Sequence, residues 1–253
     1  MLKSKIKRVA APFGRRRDRP LNELGDTNLP VIQMHYQPIV EYATDTLVVG
    51  HEALVRSQAH SSVAELFKAV GACHLNRFDA KCRRSAIDDY SSDKSLFVNI
   101  SAGALADYLY GIEDTIAYAG EHGFPYSRLV FEITEDDHHD TFRFLRNSID
   151  EARKLGVRFA VDDCGTGYSN LETIIALRPD ILKISGTIVR NIHLDTTRQA
   201  IVDGLVTTAE KLKSMLIAEG VEQEIEALCL KDLGVSVMQG YYFGYPEPFG
   251  RAD

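Results

Sequence analysis

The sequence has few cysteines and no long apolar segment. Its 253 residues include four cysteines, which lie far apart and never in a Cys-x-x-Cys spacing: Cys73, Cys82, Cys164 and Cys229. This pattern excludes a disulfide framework and a clustered zinc site, and it indicates reduced thiols. No apolar run approaches the roughly 20 residues that a membrane-spanning helix needs. We therefore expect a cytoplasmic protein.

The charge is distributed unevenly along the chain. Residues 1–20 contain eight Lys and Arg and a single acid, Asp18, so the net charge of −7 divides into +7 for this segment and −14 for the remainder. An acidic body argues against general nucleic-acid binding. We interpret residues 1–30 as a basic, flexible N-terminal tail without the apolar core of a secretory signal. Such a tail is either a simple leader or an arm that contacts anionic lipid or a protein partner.

Strand-like and helical segments alternate over the rest of the chain, which is the rhythm of a parallel α/β sheet. The apolar runs predict strands at residues 34–40, 47–50, 96–101, 128–133, 157–162, 180–184, 215–219 and 235–239. Helical spacing covers residues 62–90, 104–119, 140–154, 169–177, 196–213 and 222–232. About eight strands in one series, in a chain of this length, predict a (β/α)8 TIM-type barrel over residues 31–253. The short turn after the first strand predicts one antiparallel strand near the N-terminus.

Polar side chains stand where the predicted strands end. They are Glu52, Asn99, Glu132, Asp162, Asp163, Lys183, Glu219 and Gln239. In a barrel of this class the C-terminal ends of the strands meet at one mouth, where the chemistry takes place. Any one of these residues could belong to a solvated loop. Together they would be costly at one mouth unless a ligand or a counter-charge compensates them.

The types of these side chains indicate a particular chemistry. Carboxylates and an amide, without thiol or imidazole, suit hard cations such as Mg²⁺ or Mn²⁺. Five acidic or amide groups near one point suggest two ions that share a bridging aspartate, an arrangement that activates water against a phosphodiester. Lys183 would orient or deprotonate that water, stabilise charge on phosphorus, or balance the acids.

The motifs of the chain resemble those of the EAL-domain cyclic-di-GMP phosphodiesterases. The matching segments run from residue 36 to residue 248 in the family order: Glu52-Ala53-Leu54 with Arg56, Val98-Asn99-Ile100-Ser101, Glu132-Ile133-Thr134-Glu135, Asp162-Asp163-x-Gly165-Thr166-Gly167, Lys183-Ile184, Ala218-Glu219-Gly220-Val221-Glu222 and Gln239-Gly240-Tyr241. Residues 52–87 are most similar to the branch attached to blue-light-sensing modules, although this sequence contains no such module.

The resemblance implies hydrolysis of cyclic di-GMP to linear pGpG with two Mg²⁺ or Mn²⁺ ions. By position, it implies that the first ion is held by Glu52, Asn99, Glu132 and Asp162. The second ion would be held by Asp162 and Asp163. Glu219 would lie near the second ion, Lys183 would act on the attacking water, and Gln239 would lie beside it.

The resemblance also implies roles outside the metal site. Gln37 and Arg56 would contact the substrate. Glu135 would anchor the loop after Asp163, which the family uses in dimerisation, so we expect a homodimer. The chain departs from the family at Ser185, where an aspartate is usual, and at Cys164, where a phenylalanine is usual.

Two alternatives compete with an active phosphodiesterase. A catalytically silent receptor or protein-interaction barrel would use the same mouth, but receptors of this type usually lose metal ligands, and this chain retains each expected one. A metabolic barrel enzyme acting on a sugar phosphate would need a phosphate-binding glycine loop near the last strands. Gln239-Gly240-Tyr241-Tyr242 is not of that kind.

Overall fold

Eight strands form a closed barrel in sequence order. The computed structural model describes residues 29–105, 107, 109–133, 139–165 and 170–249. The strands are β1 (Gln33–Glu41), β2 (Leu47–Arg56), β3 (Ser95–Ile100), β4 (Leu129–Ile133), β5 (Arg158–Cys164), β6 (Ile181–Ile184), β7 (Met215–Ala218) and β8 (Val237–Gln239). β1 is antiparallel to both β2 and β8, and the other neighbours are parallel. The predicted barrel and its one reversed strand are confirmed.

Helices surround the barrel. In the described ranges they are α1 (Val63–Val70), α2 (Leu75–Asp89), α3 (Ala102–Leu105), α4 (Ile112–Glu121), α5 (His139–Lys154), α6 (Asn170–Leu177), α7 (Gly186–Val189), α8 (Thr196–Leu212) and α9 (Glu224–Asp232). None of the helices in this part of the chain is long and apolar enough to cross a membrane.

Two predicted helical regions are each divided in the structure. The region 62–90 is broken at Gly71, whose φ of 76° lies in the left-handed region that glycine adopts without strain, so α1 ends there. The region 104–119 becomes the single turn α3 and the separate helix α4, which begins after Gly111. The apolar residues therefore keep their helical spacing across both breaks, although the backbone is not helical there.

The interior of the barrel is filled by one apolar layer. Its members are buried side chains that point inward from seven strands: Ile39, Phe97, Val130, Ala160, Ile181, Ile217 and Val237. β2 contributes Gly50 at the same level, where an added Cβ would lie 2.7 Å from the Phe97 ring. The outward side chains pack under the helices in the main hydrophobic core. This layer closes the barrel directly beneath its mouth.

Candidate active site at the mouth of the barrel

A polar layer lies above the apolar one because strand side chains alternate with a period of two. Two positions further toward the mouth, the strands carry Gln37, Glu52, Asn99, Glu132, Asp162, Lys183 and Gln239, and Glu219 directly follows β7. Several are deeply buried, with Glu132 and Lys183 both at 0% exposure. The strand-end residues predicted for the site therefore share one layer, with Asp163 as the exception.

The ammonium of Lys183 is surrounded by four carboxylates. Its Nζ lies 2.5 Å from Glu132 Oε1, 3.3 Å from Asp162 Oδ1 and 3.4 Å from Glu52 Oε2. It also contacts Glu219 Oε1. A buried cation is tolerated only with such compensation, and here the acids outnumber it. The described mouth therefore carries net negative charge around a single lysine.

The pKa values reflect this crowding. Burial by itself lowers the pKa of Lys183, but the surrounding acids, Asp162 first, outweigh burial and hold this pKa well above its usual value. Burial raises the pKa of Glu132 well above its usual range, and the charge on Glu52 adds to the rise. Burial also raises the pKa of Glu219 to about 8, against the lowering effect of Lys183. The carboxylates of the site therefore repel one another, and an added cation would reduce this repulsion.

Three amide side chains complete the layer. Gln239 Nε2 donates to Glu52 Oε2 at 2.7 Å and to Gln37 Oε1 at 3.1 Å. Gln37 Nε2 donates to the carbonyl oxygen of Gly244 at 3.1 Å. Asn99 Nδ2 donates to Glu52 Oε1 at 3.2 Å and, across the register pair of β3 and β4, to Glu132 Oε2 at 3.4 Å. The amides therefore link β1, β2, β3, β4 and β8 around the mouth.

Asp163 is placed differently from its neighbour Asp162. Its φ is 50°, a left-handed conformation that aspartate tolerates better than most residues. Because side chains alternate along a strand, the inward position of Asp162 turns its neighbour Asp163 away from the barrel interior. The register of β5 with β6 also shifts between Val161 and Cys164. Asp162 is buried, whereas Asp163 is exposed, and its backbone N–H donates to Asp162 Oδ1 at 2.9 Å. Asp163 lies at the rim, next to the cluster.

Two cavities open on either side of Glu52. One, of about 320 Å³, is lined by Glu52, Arg56 and Asn99 and by apolar residues of α1 and α2. The other, of about 360 Å³, is lined by Gln37, Glu219, Gln239 and again Glu52. Leu54 borders both. The residues predicted to contact substrate, Gln37 and Arg56, therefore lie in different cavities. The predicted loop anchor Glu135 lies outside the described residues.

One buried pair was not found from the sequence. Asp79 and Arg83 on α2 are 5% and 2% exposed and form an ion pair of 2.6 Å. Opposite charges four residues apart on a helix usually indicate an exposed pair. The available signal was their position on the apolar face of α2, directly after Phe78 and Cys82, which are also buried. Both charged residues line the 320 Å³ cavity.

Comparison with known proteins identifies one family. The profile of the EAL domain matches residues 28–246. An uncharacterized protein of Mycobacterium tuberculosis is 33% identical over 234 residues, which cover 86% of this chain and 37% of that protein. The probable cyclic di-GMP phosphodiesterase PdeA of Escherichia coli is 36% identical over 120 residues, 47% of this chain and 16% of that protein. The chain thus spans well under half the length of these curated relatives.

Solved structures show the same similarity. BlrP1 of Klebsiella pneumoniae, in complex with calcium and cyclic di-GMP, superposes with a TM-score of 0.79 at 31% identity, covering 87% of this chain and 57% of that one. A standalone EAL protein of Vibrio cholerae with bound cyclic di-GMP gives a TM-score of 0.77 at 32% identity, covering 86% and 92%.

Proposed function

The chain belongs to the EAL domain family, and from this premise we propose that it hydrolyses cyclic di-GMP to linear pGpG with two Mg²⁺ or Mn²⁺ ions at the barrel mouth. The observation that carries the proposal is the closed layer of strand-end acids and amides around Lys183. Similarity to BlrP1, whose complexes contain calcium or manganese together with cyclic di-GMP, supports the choice of ligand and cofactor.

The donor set fits a hard divalent cation. Carboxylate and amide oxygens are what Mg²⁺ and Mn²⁺ prefer. Glu132 Oε1 is buried, and although it lies against Lys183 it receives no well-oriented hydrogen bond. As the described side chains stand, no three His, Cys, Asp or Glu residues are arranged to hold a metal. We attribute this to the Lys183 ammonium, whose contacts the ions would replace in part.

The residues that would hold the ions follow from the resemblance. Glu52, Asn99, Glu132 and Asp162 would hold one ion, and Asp162 with Asp163 the other, with Glu219 nearby. Asn99 would present Oδ1 instead of the Nδ2 that now faces the acids. Bound there, the ions would lower the pKa of a water and neutralise the phosphodiester.

Other residues would act on the water and the substrate. Lys183 would orient the attacking water or stabilise charge developing on phosphorus. Gln239, which donates to Glu52, would hold that carboxylate in place. Gln37 and Arg56 would each bind one nucleotide of the ligand. A cyclic dinucleotide has two such halves, and Gln37 and Arg56 line two different cavities that share Glu52.

The test is turnover by the purified protein, followed by chromatography of the products. Cyclic di-GMP with Mg²⁺ should yield pGpG. Glu52→Ala should lower the rate by at least about a hundredfold, because the loss removes an ion ligand and the acceptor of Gln239. Glu121→Ala, a matched change at an exposed position of α4, should keep the wild-type rate. Full activity of Glu52→Ala at saturating Mg²⁺ would contradict the assignment of Glu52.

A cyclic-di-GMP receptor without turnover is the second candidate, and Ser185 is the observation that favours it. Ser185 is 3% exposed, and its Oγ accepts hydrogen bonds from the backbone and side chain of Thr187 at the start of α7. The acid that the family usually carries there is thus replaced by a helix cap. Tight binding of cyclic di-GMP with no pGpG in the presence of Mg²⁺ would decide for the receptor.

We also propose two contacts beyond the mouth. The first is a homodimer formed through α6, where Leu171 and Ile175 lie one helical turn apart and are 70% and 74% exposed. This helix is the next described element after β5. The second is contact of the basic tail, residues 1–30, with anionic lipid or a protein partner; residues 1–28 of it lie outside the described part of the chain.

A further inference from the structure

Asp79 and Arg83 form a buried charged pair whose contacts lead to the active-site layer. Arg83 spans three elements: Nη1 donates to Asp79 Oδ2, Nε donates to Thr115 Oγ1 at 2.9 Å, and Nη2 donates to the carbonyl oxygen of Tyr110. Asp79 belongs to α2, Thr115 belongs to α4, and Tyr110 lies in the turn before α4. Buried charges that are this fully hydrogen-bonded hold a defined geometry.

Asp79 also connects this hydrogen-bond network to the end of β3. Its Oδ2 accepts hydrogen bonds from the backbone N–H and the hydroxyl of Ser101, both at 3.1 Å. Ser101 immediately follows β3 and lies two residues beyond Asn99. Its Oγ also accepts from the backbone N–H of Ala104 at 3.3 Å, at the start of α3. Among the described residues, one carboxylate oxygen of α2 therefore holds the residue that follows β3 through two hydrogen bonds.

Asn99 lies two residues before this attachment. Its two hydrogen bonds, at 3.2 and 3.4 Å, are longer than the usual 2.9–3.0 Å. The backbone that carries the amide therefore contributes to its position. This backbone pairs with Glu132 in the register of β3 and β4 and reaches Ser101 two residues further on. Asp79 and Arg83 also line the cavity that Asn99 and Glu52 border, so the pair and the site share one wall.

We propose that Asp79 and Arg83 are positioning residues for Asn99, through which the fold sets the divalent-cation affinity of the mouth. The inference rests on the proposed function, because it takes Asn99 as a ligand. Neither residue contacts the reacting atoms in this account. Their effect is transmitted through Ser101 and the end of β3.

The chain offers a matched control for this proposal. Arg84 of α2 and Asp114 of α4 form another ion pair, with Arg84 Nη2 2.6 Å from Asp114 Oδ1. Asp114 is as deeply buried as Asp79, at 1% exposure. The hydrogen bonds of Arg84 to Asp114 do not involve Ser101. Asp79→Asn and Asp114→Asn each remove one buried carboxylate that pairs with an arginine of α2, and Asp79 is the one that accepts the hydrogen bonds of Ser101.

The experiment is a Mn²⁺ titration of the full chain without substrate, with free Mn²⁺ followed by electron paramagnetic resonance. Asp79→Asn should weaken Mn²⁺ binding by about tenfold, the usual effect of losing a group that orients a ligand. Asp114→Asn should stay within about twofold of wild type even though both variants lower Tm. At saturating Mn²⁺, Asp79→Asn should lower kcat for cyclic di-GMP and leave KM nearly unchanged, since Gln37 and Arg56 are untouched.

Each outcome decides the matter. Equal losses of Mn²⁺ affinity in Asp79→Asn and Asp114→Asn, or no loss in either, overturn the positioning role. If Asp79→Asn does not fold, Ser101→Ala decides, because it removes one donor to Asp79: wild-type Mn²⁺ affinity overturns the proposal, and a clear loss supports it. Wild-type protein that binds no Mn²⁺ overturns the proposed function itself, whereas wild type that binds Mn²⁺ while Asp79→Asn is unaltered overturns this inference alone.

Discussion

At the scale of single residues, the mouth depends on the packing directly beneath it. Gly50 lies two positions before Glu52 on β2, and an added Cβ would lie 2.7 Å from the Phe97 ring and 3.1 Å from the Ser95 carbonyl oxygen. Phe97 is 2% exposed and fills the apolar layer. The absence of a side chain at position 50 therefore lets Phe97 occupy the interior below the carboxylates.

We expect Gly50→Ala to destabilise the protein by about 1–3 kcal/mol, because overpacking in a filled core displaces neighbours. Gly204→Ala is the control: it lies inside α8, nothing approaches its added Cβ within 4 Å, and alanine should stabilise the helix by about 0.5–1 kcal/mol. Denaturant unfolding measures both changes. Equal stability of the two variants would show that Phe97 yields without cost.

The residue types at the strand ends could be predicted from the sequence, but their contacts could not. Glu132 and Asp162 each follow a short apolar run, and the alternation of side chains along a strand is enough to predict which way they face. The contact of Lys183 with Glu52 joins residues 131 positions apart and exists only once the barrel closes. Asp79 and Arg83 could not be assigned because their helical spacing is shared with ordinary surface pairs. Such partners are decided by tertiary burial.

At the scale of elements, turn length was the decisive signal for the reversed strand. β1 and β2 are joined by only five residues, which permits an antiparallel hairpin and no crossover helix. Helix boundaries were less predictable, since the apolar spacing of α1 continues into α2 although Gly71 ends the first helix. The chemistry of a single glycine overrides periodicity there.

The exposed apolar face of α6 is the proposed dimer interface, and a charge placed on it tests this proposal. Ile175→Glu should convert the proposed dimer into monomers, because it places a charge in an apolar contact. Light scattering after size exclusion gives the mass. Ile201→Glu on α8, where the isoleucine is 45% exposed, serves as the control and should leave the dimer intact. A dimer that survives Ile175→Glu, or a wild-type monomer at high concentration, would argue against α6 as the interface.

At the scale of the whole molecule, charge separates the chain into two parts. Residues 1–20 carry a net charge of +7 and the remainder −14. The acidic part disfavours anionic surfaces, so any attraction to them must come from the basic segment.

Sedimentation with anionic vesicles tests whether the basic segment binds lipid. The intact chain should sediment at low salt and be released at high salt, because such attraction is screened within a Debye length. A chain lacking residues 1–20 should stay in the supernatant throughout. Sedimentation of neither form would leave a protein partner as the contact of the segment, and equal sedimentation of both would place lipid binding elsewhere in the chain.

The proposed function requires that the mouth direct one water molecule at one phosphodiester of cyclic di-GMP. The most direct measurement is turnover in water enriched in oxygen-18, with Mg²⁺, followed by mass spectrometry of the product. Turnover by the proposed mechanism should give pGpG that carries a single labelled oxygen, on its terminal phosphate. Intact cyclic di-GMP after prolonged incubation, or a product without the label, would contradict it.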